Sequence, residues 1–140
     1  MARLIHATSV AIDGRAVLLE GPSGAGKSDL ALRLIDRGAL LVSDDYSLVT
    51  AIEGALIASA PERIAGLMEV RGVGIISMSH ADRAPVALIV KLGGPVERLP
   101  EPRDRVIASV TLPELSIDPF EGTAALKVEL AMRRPIAEAA

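Results

Sequence analysis

Gly21-Pro22-Ser23-Gly24-Ala25-Gly26-Lys27-Ser28 has every residue of a phosphate-binding loop, and its flanks supply the context such a loop needs. Before it, residues 16–19 form a short apolar strand candidate. After it, residues 28–37 show helical spacing, with Leu30 and Leu34 on one line and Ala31 and Ile35 on the next. The loop is therefore predicted where a strand becomes a helix. The first backbone N–H groups of a helix have no internal partner, and the helix dipole adds partial positive charge there, so the turn is an anion site. Lys27 would neutralise the outer phosphates and Ser28 would hold magnesium. This order of elements places the chain in the α/β class as a P-loop domain binding a nucleoside triphosphate together with magnesium.

The chain has 140 residues, half of them apolar, enough to bury one core without staples, so residues 1–140 read as a single domain. A net charge of −3, one Tyr and one Phe leave neither the electrostatic attraction nor the stacking surface that nucleic acid requires. There is no cysteine, which excludes disulfides, thiol catalysis and zinc–thiolate sites. Apolar runs such as residues 85–90 fall far short of the roughly 20 residues of a membrane span, and residues 1–10 lack the build of a signal peptide. The expectation is a soluble, cytoplasmic protein that binds neither nucleic acid nor membrane.

Beyond the loop helix, Arg37-Gly38 is a stop signal, and residues 39–42 form a second apolar strand that delivers Ser43-Asp44-Asp45. Residues 46–52 and 55–58 flank Glu53-Gly54, the pattern of a hairpin with a two-residue turn, so the sheet is mixed rather than purely parallel. Residues 67–70, 73–78 and 86–92 are further strands. The stretch from Gly93 to Arg105, crowded with Pro100, Pro102 and charge, reads as a mobile surface loop. Residues 106–112 and 115–117 resume extended structure. A last helix is expected from a Thr123 cap through Arg134, burying a face of Leu126, Leu130 and Ala131, with Pro135 ending it and residues 137–140 frayed.

Phosphoryl transfer needs cradled phosphates, a metal to bridge them and a group to take the proton of the incoming hydroxyl. Asp44 and Asp45 close a strand expected to run beside the loop strand, where a parallel sheet gathers its ligands, and neighbouring strand residues would point to opposite faces. In isolation the pair reads equally well as a solvated turn. Glu69 and Arg71 would share one face of a short strand before Gly72 and Gly74; a surface ion pair on a kinked strand is the plain alternative, a magnesium-completing acid the functional one. His6 and His80 have no partner that the sequence can name.

Taken together these residues resemble the catalytic domain of HPr kinase/phosphorylase, a bacterial enzyme of the sugar phosphotransferase system. The resemblance rests on His6 placed fifteen residues before the loop, on the loop through Asp29, on Arg37-Gly38 and Leu41-Val42-Ser43-Asp44-Asp45, and on Glu69-Val70-Arg71-Gly72-Val73-Gly74-Ile75-Ile76. It implies an α/β fold like the nucleotide-binding part of phosphoenolpyruvate carboxykinase, and an ATP- and Mg2+-dependent kinase acting on a serine of the phosphocarrier protein HPr, with reverse phosphorolysis in many members. It implies Asp44 as the base, Lys27 as the phosphate clamp, Ser28 and Glu69 as magnesium ligands, His6 as an active-site histidine, and Asp45 and Arg71 as supporting residues. Glu97-Arg98-Leu99 is similar to a family segment that makes Arg98 the catalytic arginine, with Arg103 and Arg105 as alternatives. Family members are typically hexamers, so a homo-oligomer is implied.

The chain also departs from the pattern. Only residues 1–5 precede His6, so a bare catalytic core without the family's N-terminal domain is expected. Where the family carries an arginine-containing segment tied to phosphorolysis, this chain has Ile117-Asp118-Pro119-Phe120-Glu121-Gly122, and an acidic segment would repel phosphate. Phosphorolysis is accordingly doubtful. Two other readings stay open: a small-molecule kinase or plain NTPase, and a non-catalytic nucleotide-binding regulatory module.

Overall fold

The strand before the loop is apolar at every interior position, and burial on both of its faces explains the pattern. The computed structural model describes residues 2–134. In it β1 (Arg3–Ile5), β2 (Ala7–Ile12) and β3 (Arg15–Glu20) precede α1 (Lys27–Asp36), followed by β4 (Leu40–Ser43). On β3, Val17 and Leu19 face α1 and contribute to a core with Leu30, Leu34 and Leu41, while Ala16 and Leu18 belong to a second core with Val49 and Leu56. The sheet is thus the middle layer. Each fully buried Leu or Val contributes on the order of 1.5–3 kcal/mol.

The remaining elements are β5 (Ser47–Ile52), β6 (Ala55–Ser59), a single 3-10 turn (Glu62–Ile64), β7 (Leu67–Val70), β8 (Gly74–Ser77), β9 (Arg83–Leu92), β10 (Arg103–Ile107), β11 (Val110–Ile117) and α2 (Ala124–Arg133). The main sheet runs β1-β5-β6-β9-β3-β2-β4, with β11 joined to β9 and β10 to β11. Strand β9 knits it together: residues 83–85 pair antiparallel with β6, and later residues pair parallel with β3 and with β11. The result is a curled mixed α/β sheet, as the Glu53-Gly54 hairpin implies. Both turn residues take positive φ, 49° and 82°, the geometry of a type I′ turn. β7 and β8 form a separate two-stranded hairpin.

Several expectations need correction. The strand carrying the aspartates does not lie directly beside β3: β2 sits between them, antiparallel to both, so β3 and β4 run the same way one strand apart. Sequence periodicity over residues 7–12 is hidden because every side chain there is buried. Residues 103–105, read as loop, belong to β10, which pairs with β11 across a turn at Ala108 and Ser109. Those residues adopt φ of 50° and 69° without a glycine to announce the turn. On α2 the buried face is largely not the expected one: Ala125, Val128 and Met132 are buried, whereas Leu126 and Leu130 are 41% and 69% exposed, and of the expected face only Ala131 packs against the core. Glu129 lies on the same buried side, its carboxylate accepting a hydrogen bond from Arg37 Nε at 2.9 Å, which ties that side of the helix to the end of α1. Thr123 occupies the N-cap position but makes no side-chain capping bond. Pro135 and the alanine-rich end lie outside the described residues.

Helix α1 ends as Arg37-Gly38 suggests. The Ala39 N–H donates to the Leu34 carbonyl and the Gly38 N–H to that of Ile35, both at 3.0 Å, with Gly38 at φ 110°. No helix among the described residues is long and apolar enough to cross a membrane.

Candidate active site

Residues 21–26 connect β3 to α1, and their conformation demands the glycines found there. A Cβ on Gly21 would stand 2.9 Å from both the Leu92 carbonyl oxygen and the Ala25 Cβ, and Gly26 combines φ 95° with Pro119 only 3.2 Å from where its Cβ would be. The helix opens on Gly26 with no side-chain cap, which leaves its first N–H groups free for an anion. Lys27 is buried, its ammonium donating to the carbonyls of Gly21 at 2.7 Å and Pro22 at 3.2 Å.

Asp44 is the hub of the site. The Ser28 hydroxyl donates to its Oδ1 at 2.6 Å, the Thr8 hydroxyl lies 3.4 Å from the same oxygen, and the Glu69 backbone N–H donates to Oδ2 at 3.1 Å. These bonds fix a carboxylate that is only 7% exposed. Asp45 lies past the end of β4 in a turn with φ 64°, so the pair is separated by the turn itself and not by alternation along a strand. Its carboxylate meets His6 Nε2 at 2.9 Å, and the His6 ring stacks on Tyr46 with centroids 4.9 Å apart. Asp45 N–H donates to the Thr8 hydroxyl at 3.0 Å, so Thr8 ties the two aspartates together. Sequence reasoning missed Thr8; nothing but its nearness to His6 could have marked it.

One cavity of about 680 Å³ brings together Ser23, Gly24, Gly26, Lys27 and Ser28 of the loop with Asp44, Asp45, Glu69 and Arg71. Gly21, Pro22 and Ala25 complete the loop without lining it. Glu69 is on β7, but Arg71 lies in the turn between β7 and β8 and not on a strand face with it. His6 stands behind Asp45, outside this lining. Arg98 is not brought to Asp44; it lines a neighbouring cavity with Gly93, Pro119 and Phe120. Arg103 is paired with Glu97 at 3.0 Å, and Arg105 with Glu20 at 2.6 Å and with Glu114. The hydrogen bond that Arg105 donates to Glu20 above all, and the one it donates to Glu114, raise its pKa above its already high ordinary value against the cost of partial burial. Among the described residues Arg98 makes no ion pair, so of the three it alone is uncommitted.

The donor set fits magnesium. Hard oxygens of Ser28 and Asp44 meet at one point, with Glu69 in the same lining, yet no cluster of three or more acidic, histidine or cysteine side chains forms a closed cage among the described residues. Magnesium keeps several waters and takes one or two protein oxygens beside substrate phosphates, which is what such an open set provides.

The model of the HPr serine kinase C-terminal domain matches residues 1–91, which hold the loop, both aspartates, Glu69 and Arg71. The chain belongs to that family. Among curated relatives, the HPr kinase/phosphorylase of Clostridium tetani is 47% identical over 74 residues, 53% of this chain and 24% of the relative. That of a Geobacillus species is 48% identical over 75 residues, again 53% and 24%. The matched stretch thus spans about a quarter of the length of these relatives. Among solved structures, the HPr(Ser) kinase/phosphatase of Coxiella burnetii superposes with a TM-score of 0.81 at 29% identity, covering 94% of both chains. The curled mixed sheet is therefore the fold of this family, including the part of the chain beyond the family-model match.

Proposed function

We propose that this protein is an ATP-dependent kinase that phosphorylates a serine of an HPr-type phosphocarrier protein, with Asp44 as the general base. The observation that carries the reading is the Asp44 carboxylate, held by the Ser28 hydroxyl and the Glu69 N–H in the same cavity as the loop and Lys27. A carboxylate fixed at the edge of an anion-binding loop can receive the proton of a hydroxyl positioned for attack on the terminal phosphate.

In this account the loop N–H groups of Gly24 and of Gly26 to Ser28 bind the phosphate chain, while that of Ala25 holds the turn through the Pro22 carbonyl, and Lys27 exchanges the carbonyls of Gly21 and Pro22 for phosphate oxygens. Ser28 and Glu69, with Asp44 close by, would hold magnesium, which when bound neutralises charge on the phosphates. Asp44 orients the acceptor serine and takes its proton. Asp45 and His6 buttress the loop that carries Asp44, and Arg71, at the open rim, meets the incoming protein. Arg98, uncommitted to any carboxylate, lines the neighbouring cavity and in this account meets the nucleotide there, away from the transferring phosphate. Phosphorolysis would be weak, because segment 117–122 beside the loop offers no arginine to draw inorganic phosphate in.

The test is transfer of the γ-phosphate from labelled ATP, with magnesium, to a purified HPr-type protein or to a pool of small metabolites. Label on a serine of the protein supports the reading. Label on metabolites alone would replace it with a small-molecule kinase.

A further inference from the structure

The chain contains a single phenylalanine, and it is 73% exposed. Phe120 lines both the loop cavity and the neighbouring cavity of about 690 Å³, so the two meet at its ring. Lone exposed apolar residues are ordinary on a protein surface, but this one is held in place from both sides. The Asp118 carboxylate accepts the Phe120 N–H at 2.9 Å. Arg33 of α1 donates to the carbonyls of Pro119 and Glu121, and Pro119 is buried against Gly26 of the loop. An exposed aromatic ring on a clamped backbone, touching the phosphate loop, is a platform.

The position of the second cavity also matters. It opens at the C-terminal ends of β9 and β11, two strands parallel to β3, whose own C-terminal end carries the loop. Ligands of α/β sheets gather at those ends. Asp44 lies in the other direction, past β2. A triphosphate whose terminal phosphate points to Asp44 therefore runs toward β9 and β11 at its other end, across Phe120.

We propose that this cavity receives the base and ribose of the nucleotide, with Phe120 stacking on the base. The proposal rests on the nucleotide reading above and adds a subsite to it. The lining is mixed in sign: Lys127 is paired with Glu121 at 2.6 Å, and Glu97 and Asp118 face the same space as Arg98. Near-neutral polarity of this kind suits hydroxyls and ring nitrogens better than a further phosphate. The volume is within the range of about 300–1,000 Å³ typical of small-ligand sites.

The experiment is calorimetric titration with Mg·ATP and, separately, with Mg·tripolyphosphate, which has the phosphates and no nucleoside. It compares the protein with Phe120→Ala and Phe120→Tyr. Since the ring is exposed, its removal leaves no cavity in the core, and a thermal melt verifies the fold of each variant. The expected result is ATP binding about tenfold weaker in Phe120→Ala, tripolyphosphate binding unchanged, and ATP affinity restored in Phe120→Tyr. Unchanged ATP affinity in Phe120→Ala would overturn the subsite, as would equal weakening toward both ligands, which would mean that Phe120 only props the loop. If the unaltered protein binds tripolyphosphate as tightly as ATP, the subsite falls and the loop reading stands. If it binds neither, the nucleotide reading falls and takes the subsite with it.

Discussion

At Gly21 the chain leaves β3 with its α-carbon so close to the Leu92 carbonyl that a single added methyl would meet backbone at 2.9 Å. Neither backbone can give way without moving the loop or the end of β9. Gly21→Ala should therefore cost about 1–3 kcal/mol of stability and weaken nucleotide binding together, read by urea denaturation and by titration with ATP. Loss of one without the other would mean that the loop and the sheet are less tightly joined than the geometry says. Arg105 makes a second claim at this scale. Its raised pKa comes chiefly from the bond to Glu20, so the stability tied to its charge is present at every pH below the ordinary arginine value and is lost only as the pH climbs through the raised one. Arg105→Gln should lower stability equally at about pH 7 and about pH 9, when denaturation midpoints are compared at the two.

Among the elements, α2 tests the packing. Two apolar stripes run along it, and the buried one is the stripe of Ala125, Val128 and Met132. Met132→Ala should destabilise by about 2–5 kcal/mol, while Leu130→Gln should stay within about 0.5 kcal/mol, measured by chemical denaturation. The reverse ranking would restore the face that periodicity suggests. Periodicity alone could not choose, because both stripes satisfy a helical repeat, and what separates them is long-range: the core that receives Val128 and Met132, and the Arg37 partner of Glu129. Other elements were plain in the chain. Glu53-Gly54 and Arg37-Gly38 declare a turn and a helix end because glycine takes the positive φ that each needs. Asp13-Gly14 carries the same signal and joins β2 to β3 as a hairpin. Ala108 and Ser109 carry no such signal, and the charged residues before them look like loop.

At the scale of the whole molecule, the site is assembled from segments far apart in sequence. The loop, Asp44 and Glu69 could be singled out as motifs, since each has a recognisable local pattern. Their convergence on one carboxylate could not be, nor could the part played by Thr8, because both depend on β2 lying between β3 and β4. Segment 118–121 is the same kind of case. Its acidic composition was visible, but its seat against Gly26 and its clamping by Arg33 come from tertiary packing. The central claim is that this assembly uses Asp44 to take the proton of a serine on a protein acceptor. Replacing Asp44 by Asn keeps the shape and removes the carboxylate. The decisive measurement is the rate of phosphoryl transfer to an HPr-type protein by Asp44→Asn and by the unaltered protein, with ATP affinity determined on the same samples. The account predicts transfer slowed by a factor of about 100 or more with ATP affinity within a few-fold. Undiminished transfer by the variant would contradict it.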